Sequence, residues 1–144
     1  MQMDYLRIAL DDIQFLEDIK ETKSIYNNAN NYIIQINQIV EKLFKHSIML
    51  RNENGTYDKK IHTYKLTELY RCILSAYNLK NTLDFRTMLL LEEFQFGCVY
   101  TGDKYVRRTK EDFDKFYVFL QECIQWLKDS VLDSASIRLL NDYE

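Results

Sequence analysis

The chain has 144 residues, a formal net charge of −3, 47% hydrophobic residues and 14% aromatics. That is enough apolar mass for one domain with a real core, and too much for a disordered chain. Proline is absent and only Gly55, Gly97 and Gly102 break the sequence, which excludes a turn-rich β architecture and any glycine-rich phosphate loop.

The first element is a helix over roughly residues 3–22. Leu6, Ala9, Leu10, Ile13, Leu16 and Ile19 recur at the three- and four-residue steps of one helix face. Ser24 is placed to cap a second, longer helix carrying Ala29, Tyr32, Ile33, Ile36, Val40, Leu43 and Phe44. That helix ends near residues 49–51, because RNENGTYD is the most turn-like stretch of the chain. Leu66, Leu69, Tyr70, Ile73, Leu74 and Tyr77 mark a third helix. A fourth is expected over residues 82–96, closed by Gly97 as a C-terminal cap. Thr109 followed by Asp112 forms a capping-box pattern that opens the fifth, with Phe113, Phe116, Tyr117, Leu120, Ile124, Leu127 and Val131 on one face. No segment alternates as a strand does, and no internal repeat is visible. The expected fold is all-α, an antiparallel up-and-down bundle of about five helices over residues 1–133. Residues 134–144 are expected to be a short C-terminal tail, a turn or a fraying end. The second and fifth helices should be longest and face each other through Tyr32, Ile36, Val40, Phe116, Leu120 and Ile124.

The N-terminal MQMDYLRIALDD carries early acids and no apolar signal-peptide core, and no apolar run is long enough to span a bilayer. Cys72, Cys98 and Cys123 are odd in number and widely spaced, as befits reduced thiols in a cytoplasmic protein. Together with His46 and His62 they make no metal-binding spacing, so neither a metal nor a cofactor is expected.

Charge placement says more than net charge. Residues 42–65 hold Lys42, Lys45, Arg51, Lys59, Lys60 and Lys65 against Glu53 and Asp58. Residues 101–110 hold Lys104, Arg107, Arg108 and Lys110 against Asp103 alone. In an up-and-down bundle the first, third and fifth helices begin where the second stops, so both basic windows would share one pole. Helix N-termini there would add partial positive charge and free N–H groups, a setting for phosphate. The candidate ligand-binding residues are Lys59, Lys60, His62, Lys65, Lys104, Tyr105, Arg107 and Arg108. His62 reads foremost as a helix-entry residue, then as part of an anion site, and least of all as a catalytic base.

The run ANNYIIQINQIVEKLFKHSI, the following IHTYKLTELYRCI and a late KYV give the chain a resemblance to the HEPN family of small helical domains. Glu41, Lys42 and Lys45 match that family's Glu-Lys-x-x-Lys. Leu66 and Leu69 fit the leucines of its His-Asp-Leu-x-x-Leu, with Tyr64 and Lys65 standing where His-Asp would be. Lys104, Tyr105 and Val106 take the place of its Arg-Tyr-Pro. The resemblance covers about residues 3–131. It implies an antiparallel helical bundle that homodimerises. Some members of the family are RNase toxins paired with a nucleotidyltransferase antitoxin, and others bind nucleotides or act as adaptors. The RNase members carry Arg, four to six residues, then His. Here Gly55, Thr56 and Tyr57 precede His62 at those distances, and Ile39, Val40 and Glu41 precede His46. The pair is missing, so catalytic residues are expected to be none. The expectation is a non-enzymatic binding or adaptor domain that takes a nucleotide or RNA phosphate at the basic pole. The alternatives are an RNase with an atypical site and a structural partner of a nucleotidyltransferase.

Overall fold

The computed structural model describes residues 4–96 and 107–142. Among them there are six α-helices and no strand: α1 (Asp4–Ile19), α2 (Ser24–Met49), α3 (Leu66–Tyr77), α4 (Phe85–Glu92), α5 (Lys110–Ser130) and α6 (Ser134–Asp142). Short 3-10 turns occupy Glu53–Gly55, Lys60–His62 and Glu93–Phe96.

Helix α2 is the axis of the molecule. From Ile39 to Ile48 every side chain except Lys42 is buried, which requires neighbours on all sides. Helices α1, α3, α4 and α5 all pack against it. The α1–α2 connection is only residues 20–23, so these two helices run antiparallel. Ser24 does not cap α2. Lys23 holds the cap position without a side-chain bond, while the Ser24 hydroxyl pairs with the Tyr32 hydroxyl at 2.8 Å. Asn28 donates its side-chain amide to the Ser24 carbonyl at 3.1 Å and leaves helical geometry (φ −129°, ψ 27°), which kinks α2 one turn in.

The up-and-down order expected from the sequence is not what forms. The sixteen residues between α2 and α3 are not a tight turn; they fold over two 3-10 segments and tuck Ile61 into the core. They bring Tyr64 back beside Lys45, so that α3 crosses the last turns of α2 and ends where α2 ends. Tyr77 donates its hydroxyl to the Ser47 carbonyl at 2.8 Å, and Arg51 lies over the Tyr77 ring at 4.3 Å. The return is made by α4 and the 3-10 turn after it. Asn37 of α2 donates to the Leu91 carbonyl at 2.9 Å, and Phe94 meets Phe116 edge-on at 5.8 Å. Helix α5 therefore begins beside the start of α2, where the Arg108 N–H donates to the Asn30 side chain at 2.6 Å. It runs parallel to α2, and α6 closes on the far end, with His46 Nε2 and the Ser136 hydroxyl 2.8 Å apart.

Tyr70 ties the layers together. Its ring stacks on Phe44 of α2 and meets Trp126 of α5 edge-on at 5.3 Å. Ile36, Val40, Phe116, Leu120 and Ile124 are buried as expected, whereas Tyr32 is half-buried and turns towards Phe15 of α1. The fourth helix is shorter than expected, and its Gly97 cap lies outside the described residues. The C-terminal stretch is a nine-residue helix rather than a fraying turn, with Ser136 and Leu140 buried.

Candidate anion-binding groove

The expected single basic pole does not form, because α5 starts at the wrong end for it. Lys59 and Lys60 follow the end of α2, while Arg107 and Arg108 stand beside Asn30 near its start. Sixteen residues of helix, from Asn30 to His46, span about 24 Å. Lys104 and Tyr105 lie outside the described residues.

At the α3 end, the connector and the outer face of α3 enclose a groove of about 400 Å³. Tyr57, Lys59, Lys60 and Thr63 line one wall; Glu68, Arg71, Cys72 and Ser75 line the other. The four α3 residues share one face because they follow the three- and four-residue helical step. The connector wall is shaped by Asn52, whose side chain accepts from the Tyr57 N–H and donates to Asp58 at 2.8 Å. Gly55 makes that turn possible. Its φ is +74°, and a Cβ there would stand 2.6 Å from the Asp58 carboxylate.

Among the described residues, neither Lys59 nor Lys60 has a carboxylate within 4 Å. The Arg71 guanidinium lies 5.0 Å from the centre of the Phe85 ring. Glu68 is the one carboxylate of the lining, and it lies 3.8 Å from the ammonium of Lys65, which does not line the groove. Three uncompensated cations beside the hydroxyls of Tyr57, Thr63 and Ser75 suit an oxyanion. Cys72 on the inner wall is buried; burial pushes its thiol pKa up against the pull of Lys60, so it stays a thiol and no nucleophile.

Lys59 and Lys60, expected at a basic pole, line this groove, together with Arg71, Thr63 and Ser75, which the sequence reading did not single out. The four-residue spacing of Arg71 and Ser75 on α3 was the available signal. His62 and Lys65 are exposed and do not line the groove. Nor does the start of α3 offer free N–H groups to a ligand: the Thr67 N–H and hydroxyl both donate to Glu92, at 2.9 and 2.8 Å.

The α5 end is worse furnished. Arg107, Arg108 and Lys110 border a shallow cleft of about 340 Å³ with Tyr26. Thr109 and Asp112 close a full capping box over the helix start, Lys110 pairs with Asp114 at 2.7 Å, and Arg108 lies over Phe94. His46 is buried under α6. Among the described residues no cluster could hold a metal ion, and no helix is long and apolar enough to cross a membrane. Comparisons with protein-family models, with curated proteins and with solved structures find no match to this chain.

Proposed function

We propose that this protein is a non-enzymatic, HEPN-like binding or adaptor domain that takes the phosphate of a nucleotide or of RNA in the groove over α3. The observation that carries the reading is the set of three cations, Lys59, Lys60 and Arg71, facing one cleft without a compensating ion pair among the described residues. Phosphate dianions reward such an arrangement, because each cation that touches phosphate releases a counterion. Two observations support the non-enzymatic reading: burial pushes the Cys72 thiol pKa up, and His62 has no arginine at the RNase spacing. The protein acts in the cytoplasm and as a homodimer; Ile8 and Phe15, each 44% exposed and two turns apart on α1, are apolar surface that a second copy would cover.

The test is equilibrium binding of a fluorescent mononucleotide and of a short single-stranded RNA across a salt series. Both should bind, more weakly as salt rises, and Lys59→Glu with Lys60→Glu should remove binding. If only RNA binds, the source of the phosphate is a strand and not a free nucleotide. Binding that ignores salt, or that survives the double reversal, contradicts the reading. Metal-free incubation with RNA should leave the RNA intact; cleavage abolished by His62→Ala would replace this reading with that of an RNase.

A further inference from the structure

His46 is 7% exposed, in the last turns of α2, and its Nε2 lies 2.8 Å from the buried Ser136 hydroxyl of α6. Ser136 in turn is held by Asp133, which accepts from its N–H at 3.0 Å and whose carboxyl is drawn below the usual carboxylate range chiefly by the Ser136 hydroxyl. A hydroxyl has one proton to donate. If Ser136 gives it to Asp133, it must accept from His46, which fixes the neutral ring as the Nε2–H tautomer. The other ring nitrogen, Nδ1, is buried with no hydrogen-bond partner.

We propose that the chain His46–Ser136–Asp133 is an acid-sensitive clasp that holds the C-terminal helix α6 on the end of α2 and releases it when His46 takes a proton. Protonation adds an N–H at Nδ1, where no acceptor stands, and buries a charge in the same step. The groups around the ring do not offset this. Asp133, in the turn between α5 and α6, favours the charged ring, but burial outweighs it and pushes the His46 pKa down. From α3 the nearby Tyr77 is neutral, with burial holding its pKa up, and Arg51 just past α2 adds positive charge beside Tyr77. Lys128 of α5 is spent on Asn141 of α6 at 2.8 Å. The sign follows: released α6 leaves His46 with the ordinary value of about 6.5, so the clasp is at full strength above that pH and weakens as pH falls through it towards the lower clasped value.

The experiment is hydrogen exchange of the whole protein, with protection factors corrected for the intrinsic effect of pH. Between about pH 7.5 and about pH 5.5, protection of the α6 amides should fall by about tenfold, the limit for one proton taken up over one pH unit below 6.5. Protection in α1 should stay level. In His46→Gln, whose amide can still reach Ser136 but does not titrate, α6 protection should be independent of pH. Unchanged α6 protection in the natural chain overturns the proposal, as does an equal fall in the glutamine variant. Should that variant not fold, the His46 ring titration in the natural protein decides. A pKa at or above the ordinary imidazole value of about 6.5 would refute the clasp.

Discussion

Tyr70 shows how much one atom can hold. Its hydroxyl accepts from the backbone N–H groups of Thr82 and Leu83, at 2.7 and 2.9 Å, and donates to Asn81 at 2.8 Å. Tyr70→Phe keeps the ring stack but orphans those donors, and each buried orphan costs about 1–3 kcal/mol. Chemical denaturation should show a loss of about 2 kcal/mol or more, with the slope of the transition unchanged. Glu41 and Lys45 pose the converse problem. They pair at 2.8 Å, both almost wholly buried, with Tyr64 covering the ammonium at 4.9 Å. Lys45→Met leaves the buried Glu41 carboxylate with only the longer 3.4 Å contact to Lys42 and should cost about 3 kcal/mol, whereas Lys45→Met with Glu41→Leu should restore most of it. A double variant as unstable as the single one would mean that the pair is favourable in its own right. Neither residue was legible as buried from sequence. Their i,i+4 spacing is that of ordinary helix-surface ion pairs and carries no mark of burial.

At the scale of elements, legibility followed the strength of the local signal. The third helix and the fifth were readable because an apolar stripe and, for the fifth, a capping box marked them. Thr109 and Asp112 do cap α5, through bonds of 3.2 and 2.9 Å. Thr109→Ala should therefore cost about 1 kcal/mol, seen as a lower thermal midpoint. Asp84 caps α4, its side chain accepting from the Arg86 and Thr87 N–H groups, and its position two residues inside the expected start, with a 3-10 turn over Glu93–Phe96, makes α4 short. Ser24 misled because its hydroxyl had a better partner in Tyr32, eight residues on. Helix α6 was missed for a different reason. Its two buried residues, Ser136 and Leu140, are too few to make a periodic pattern, and it forms by docking on α2 rather than by its own propensity.

For the whole molecule, the sequence yielded five of the six described helices but not the order in which they run. That order depends on how far a connector travels, and the residues between α2 and α3 carry the chain back beside Lys45 before α3 starts. One such detour reverses α5, and with it the placement of Arg107 and Arg108. Lys59 and Lys60 thus fall at one end and Arg107 and Arg108 at the other, and the groove beside α3 gathers Lys59, Lys60 and Arg71 without an ion pair among the described residues. Charge reversal at Arg107 should accordingly leave phosphate binding and the thermal midpoint almost unchanged, since an exposed charge contributes little to stability. The most direct test of the phosphate-binding groove is an amide chemical-shift titration of the intact protein with inorganic phosphate and then with a mononucleotide. Shifts should be confined to residues 57–63 and 68–75 and diminish as salt is added. Shifts centred on residues 107–111, or none at the α3 face, would contradict it.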